Sequence, residues 1–176
     1  KIKGTVKVFG SPAEEGGGGK VYMSRAGLVD NVDVMLNWHP ASFNNSNPLQ
    51  NLANFSGKFR FHGQSAHAAA APEKGRSALD GVEAMNFMVN AMREHVTEGS
   101  RIHYVITNGG KAPNVVPDFA EVYYYARHNN PEIARDTWRR IENAAKGAAL
   151  GTDTKVEIEI TNATYSMLPN EALSKL

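Results

Sequence analysis

The amino-acid pattern predicts an α/β chain in two parts, a short β-α-β piece and a complete two-layer β-α-β-β-α-β sandwich behind it. Three observations carry this reading. Apolar residues alternate at period two in Asn54–His62, Phe119–Arg127 and Thr154–Thr161, as half-buried strands require. They recur at helical spacing in Ser77–Glu94 and after Pro131. Ahead of these, two apolar runs flank a helical segment, and the first run leads into an acidic, glycine-rich loop.

Thr5–Phe9 reads as a short buried strand, Lys20–Ala26 as the first turns of a helix, and Val34–Trp38 as a second strand. Between the first two lies Ser11-Pro12-Ala13-Glu14-Glu15, followed by the glycine run Gly16–Gly19. Open α/β sheets place ligands on loops leaving the carboxyl ends of strands. Adjacent carboxylates repel each other, and a bound cation relieves that repulsion. A phosphate loop fails on spacing, because its first glycine would fall on Glu14 and Val21 follows Lys20. The dinucleotide fingerprint lacks its third glycine. A flexible acidic turn is the plain structural alternative. His39 ends the second expected strand, on the same sheet edge as Glu14 and Glu15. Alone it reads as a surface histidine; beside an acid pair it suits zinc or manganese.

Pro40–Pro48, rich in Asn, Ser and Pro, reads as a linker. Asn54–His62 then sets Phe55, Phe59 and Phe61 on one face and Lys58, Arg60 and His62 on the other. Gly63–Gly75 is a loop. The helix Ser77–Glu94 carries the stripe Ala78, Val82, Met85, Val89 and Met92. Ile102–Thr107 is a strand, ended by the turn Asn108-Gly109-Gly110. Phe119–Arg127 follows, with Tyr123, Tyr125 and Arg127 facing away from the core. Asn130-Pro131 caps a second helix, which has Ala134, Trp138, Ile141, Ala145 and Ala148 at core spacing and Gly151 at its close. Thr154–Thr161 points Val156, Ile158 and Ile160 inward. This order predicts a ferredoxin-like sandwich with both helices on one face of the sheet and the other face open.

The chain of 176 residues has a formal net charge of +1 and no cysteine. Such a balance provides no bulk attraction to nucleic acid or membrane. Thiolate metal sites and disulfides are excluded, and no apolar run is long enough for a bilayer. A soluble, cytoplasmic protein is expected. Tyr123 and Tyr125 on an open sheet face could imitate an RNA-recognition module, but the basic, glycine-rich strand signature is missing. The apolar start and the cut-off helical pattern at the end suggest an internal piece of a longer protein.

Further candidates lie in the sandwich. His67 sits among small residues in Gly63-Gln64-Ser65-Ala66-His67-Ala68-Ala69. Asn114 opens Asn114-Val115-Val116-Pro117 after a glycine turn. Arg127 ends its strand. Their plain alternatives are an exposed loop histidine, a turn asparagine, and a cation that is solvated or paired with Glu121 or Glu157. Taken in order with Pro12-Ala13-Glu14-Glu15-Gly16, His39-Pro40, Pro72 and Gly109-Gly110, these motifs resemble the M20 family of metal-dependent amidohydrolases and aminoacylases.

The resemblance implies an enzyme that cleaves an amide bond to an amino acid, an aminobenzoyl-glutamate above all. It implies Glu14 as general base, Glu15 and His39 as metal ligands, and two zinc or manganese ions. It implies His67 as a lid histidine that reaches into a partner's site, and Asn114 and Arg127 as substrate-binding residues. It also implies a homodimer formed through the lid, or assembly with a second type of subunit. Residues 1–48 are expected to be part of a catalytic domain, 49–163 the inserted lid and dimerisation domain, and 164–176 the return to the catalytic domain. The family's first His-x-Asp or His-x-Cys motif and its last metal-binding histidine have no match here. The isolated chain is therefore expected to bind metal weakly and to be inactive. A non-catalytic dimerisation module is the alternative.

Overall fold

The computed structural model describes residues 3–46 and 50–176. The chain divides into two units, Lys1–Asn45 and Ser46–Leu176. The end of the expected linker, with the expected boundary between residues 48 and 49, lies outside the described residues.

In the first unit the sequence forms one helix among the described residues, α1 (Gly19–Arg25). Gly18 caps it at φ 63°, a left-handed conformation that glycine takes without strain. A side chain at Gly19 would stand 2.0 Å from the Pro12 carbonyl oxygen, so the chain can close up only on a bare backbone. The expected strands Thr5–Phe9 and Val34–Trp38 are not formed. Val6 and Val8 are 91% and 93% exposed. Apolarity alone does not make a strand; its N–H and C=O groups need a paired neighbour, and the described residues of this unit provide none.

The second unit is the two-layer α/β sandwich. Its elements are β1 (Ala53–His62), α2 (Ala78–Met92), β2 (Arg101–Asn108), β3 (Phe119–His128), α3 (Pro131–Gly151) and β4 (Lys155–Thr164), followed by the short α4 (Glu171–Ser174). The strands form one sheet in the order β2-β3-β1-β4, and every neighbouring pair is antiparallel. Capping follows the sequence. Ser77 Oγ accepts from the Asp80 N–H, and Asn130 Oδ1 accepts from Glu132 with Pro131 at the first turn.

Alternation builds the core. Phe59, Phe61, Val122 and Tyr124 are fully buried and meet Val82, Met85, Val89, Trp138 and Ile141 from the two helices. Trp138 lies over the sheet, with Phe55 and Phe59 at ring distances of 6.4 and 5.5 Å. The buried Tyr124 hydroxyl is satisfied by Asn86 Oδ1, as a buried polar group must be.

Two details depart from expectation. Gly151 belongs to the last turn of α3, and the left-handed residue is Asp153 at φ 53°. A short polar side chain tolerates that conformation, and Arg76 Nε pairs with Asp153 Oδ2 at 2.7 Å. Ile160 is 54% exposed rather than inward. It lies on the edge strand β4, where the β1 pairing shifts register at Ser56/Gly57.

Gly57 shows how tightly this layer is made. An added Cβ would meet the Glu159 carbonyl oxygen at 2.5 Å and the Trp138 ring at 2.9 Å. Backbone oxygen cannot yield, so Gly57→Ala is expected to destabilise the protein by about 2 kcal/mol. A urea unfolding midpoint that stays unchanged or rises would contradict this packing.

Candidate functional site

The acidic pair sits at the tip of a tight turn. The Gly17 and Gly18 N–H groups both donate to the Ala13 carbonyl at 2.9 Å, and Ala13 itself takes φ 50°. Glu14 and Glu15 are exposed on that turn. His39, also exposed, donates from Nδ1 to the Pro40 carbonyl at 3.0 Å. A carbonyl can only accept, so the neutral ring carries its proton on Nδ1 and leaves the Nε2 lone pair free, which is the form a metal ligand needs. Among the described residues, however, no group of three His, Cys, Asp or Glu lies close enough to hold a metal ion. The residues present do not by themselves make a metal centre.

His67 shows the opposite tautomer. The Ala69 and Ala70 N–H groups donate to its Nδ1 at 3.2 and 3.1 Å. Nδ1 is therefore an acceptor, and the neutral ring carries its proton on Nε2, free to donate outward. Long-range backbone pairing puts Asn114 beside it: His67 bridges Val115, and the Ala68 N–H donates to the Asn114 carbonyl at 3.0 Å. The Asn114 side chain is exposed and makes no hydrogen bond among the described residues. A depression of about 490 Å³ adjoins this junction, lined by Ala68, Leu79, Asp80, Gly110, Lys111 and Val115. His67 and Asn114, far apart in sequence, thus form one loop cluster at the Phe119 end of β3.

Arg127 lies at the other end of the same strand. From Phe119 to Arg127 the strand covers roughly 26 Å at its usual rise, so the chain does not bring Arg127 to His67. Arg127 is half-buried and, among the described residues, makes no ion pair with Glu121 or Glu157. Its Nε donates to Asn54 Oδ1 at 3.2 Å, and its guanidinium lies 5.2 Å from the Tyr125 ring centre.

The open face reads as rows across the sheet, since directly paired residues share a face. One row is Arg101, Arg127, Asn54 and Thr164; the next contains His103, Tyr125 and Ser56. Arg101 and His103 were not singled out from sequence. The strand at Ile102–Thr107 was legible, but its register against Arg127 was not. Burial, and then Arg127, Arg93 and Arg101, hold the His103 pKa below its ordinary value. Toward the Phe119 end the charges are compensated. Arg60 pairs with Glu121, Glu157 and Glu159, and Lys58 pairs with Glu121.

Comparison with known proteins gives a consistent result. The M20 family described as "Peptidase dimerisation domain" matches residues 50–153. The chain is 46% identical to a p-aminobenzoyl-glutamate hydrolase subunit of Escherichia coli (strain K12) over 97% of its own length and 36% of the relative's. It is 34% identical to the Xaa-Arg dipeptidase of Mus musculus, covering 96% of itself and 39% of that protein. Among solved structures it resembles the aminobenzoyl-glutamate utilization protein from Klebsiella pneumoniae, with a TM-score of 0.71 and 25% identity over 87% of this chain and 40% of that one. The chain thus spans well under half the length of these relatives.

Glu121 makes the charged face testable. Burial pushes its pKa up, but hydrogen bonds from Thr107, Arg60 and Lys58 outweigh that, and the net result lies below the ordinary 4.5. A depressed carboxylate adds stability above that value, and the stability is lost as pH falls through the folded pKa. Glu121→Gln is expected to lower stability at neutral pH and to flatten its fall between about pH 5 and pH 3. Urea midpoints across that range test this; an unchanged slope would contradict it.

Proposed function

Because this chain belongs to the M20 peptidase family, whose dimerisation domain it carries over residues 50–153, we propose that it is a segment of an amidohydrolase. The bond cleaved is an amide to an amino acid, with p-aminobenzoyl-glutamate, giving p-aminobenzoate and glutamate, the substrate suggested by the names of its relatives. In this reading the ferredoxin-like sandwich, residues 49–163, is a lid and dimerisation domain. Residues 1–48 and 164–176 belong to a catalytic domain. A cytoplasmic location accords with the lack of cysteine, and no helix among the described residues is long and apolar enough to cross a membrane.

The single observation that carries the reading is the His67 tautomer. Two backbone N–H groups fix its ring so that Nε2–H is left to donate, beside the unbonded Asn114 amide. Donors held in this way suit the oxyanion formed when water adds to an amide carbonyl. Glu14 would accept the proton of the attacking water and return it to the leaving amine. Arg127, steadied by Asn54 and Tyr125, would hold the amino acid's carboxylate in a forked pair. The zinc or manganese ions of the family would need donors beyond Glu15 and His39, so the isolated chain is inactive in this reading.

One strand separates His67 from Arg127, so both serve one substrate only if two copies cooperate. The edge strand β2 supports that. Tyr104, Val105 and Ile106 are 37%, 56% and 40% exposed, and Phe87 and Met88 on the adjoining α2 are 75% and 42% exposed. Antiparallel pairing of two β2 edges about a twofold axis sets the His67 end of one sheet level with the Arg127 end of the other.

In the full-length protein, Glu14→Gln is expected to reduce turnover by about 100-fold or more while the dimer mass is unchanged. Steady-state hydrolysis of p-aminobenzoyl-glutamate and light scattering measure the two. Loss of the dimer with unchanged turnover per protomer would contradict these roles.

A further inference from the structure

The open face of the sheet is electrically lopsided. Toward the Phe119 end, Arg60 and Lys58 are paired with the three glutamates Glu121, Glu157 and Glu159. At the opposite end stand Arg101 and Arg127, directly paired across β2 and β3, with Arg93 close by. None of these three is in an ion pair among the described residues. Arg93 donates to the Asn90 side chain and the Ile102 carbonyl, Arg101 to the Ser100 carbonyl, and Arg127 to Asn54. Like charges directly opposite each other on a sheet destabilise it, and β2, with the sequence RIHYVITN, contains no acid to offset them. A second copy pairing through the same strand would bring none from that strand either.

The donors left over are specific. Arg127 uses only its Nε, so its two terminal nitrogens stay free on a guanidinium already fixed by Asn54 and the Tyr125 ring. Arg101 keeps its Nε and one terminal nitrogen free. Each can offer a planar fork, the geometry that recognises a carboxylate. His103, next to Arg101 on the same face and paired with Tyr125, adds a ring whose pKa is lowered by partial desolvation and by the neighbouring arginines. It contributes a hydrogen-bonding nitrogen without another positive charge.

From this arrangement we infer that Arg101 and His103 form a second carboxylate subsite beside Arg127, so that the site selects compounds with two carboxylates, such as amides of glutamate or aspartate. The inference rests on the amidohydrolase reading for its biological meaning. The subsite itself can be tested without turnover.

The test is calorimetric titration of the full-length protein with glutarate, which has two carboxylates, and butyrate, which has one. Wild type is expected to bind glutarate about tenfold more tightly than butyrate. Arg101→Gln is expected to abolish that preference while leaving butyrate affinity, circular dichroism and dimer mass unchanged. Arg101→Lys, which keeps the charge and loses the fork, is expected to retain only part of it. Equal binding of both ligands by wild type overturns the proposal, as does a preference that survives in Arg101→Gln. A dimer weakened by Arg101→Gln with the preference intact would assign the cluster to a second copy's acids and likewise overturn it. Hydrolysis of N-benzoyl-glutamate and N-benzoyl-alanine is followed in parallel. If wild type cleaves neither, the amidohydrolase reading fails, while the glutarate preference still decides the subsite.

Discussion

β3 lies between β2 and β1, and its hydrogen-bonded register determines which side chains can share a ligand. One face of the strand, through Val122 and Tyr124, is committed to the core under α2 and α3. The other carries Glu121, Tyr123, Tyr125 and Arg127 in sequence. Because the side-chain period is two, a slip of one residue would exchange these faces. It would bury the arginine and expose the core. The pairing that holds the hydrophobic layer together therefore also aligns Arg101 with Arg127 and Lys58 with Tyr123.

The same strand separates two chemistries. At its start, backbone contacts made by the loops around His67 and Asn114 turn the imidazole into a hydrogen-bond donor. At its end, neutral partners hold Arg127 without quenching its charge. A guanidinium paired with a surface acid would be screened and occupied; one held by an amide oxygen and a phenol ring stays available to an anion. The compensated half of the face, around Arg60 and Glu121, shows the contrast within one sheet.

Much of the sandwich was legible in the sequence because each strand is buried on one side only. Phe59 and Phe61 on β1 and Val122 and Tyr124 on β3 announce a covered face by alternation, and Ser77 and Asn130 announce the helix starts. The first unit was less legible. Thr5–Phe9 and Val34–Trp38 look like strands by composition, but pairing depends on neighbours that composition does not supply. The left-handed turn at Asp153 was missed because Gly151, two residues earlier, is the more obvious candidate. Within the candidate site, residue types could be read but proximity could not. His67 meets Asn114 through non-local backbone bonds, and Arg101 meets Arg127 through a hairpin register set at the far end of β2, past its irregularity at Ile106/Asn108. The tautomers of His39 and His67 depend on single backbone contacts and leave no mark in the sequence.

If His67 of one copy and Arg127 of another serve the same substrate, complementation shows it most directly. Full-length His67→Ala and Arg127→Ala protomers, differently tagged, are purified as the mixed dimer and assayed beside each parent dimer. Both parents should be nearly inactive. The mixed dimer contains one site with both residues intact and one with neither, so the account predicts about half the activity of the wild-type dimer. A mixed dimer no more active than its parents would place both residues in the site of a single chain and contradict the account.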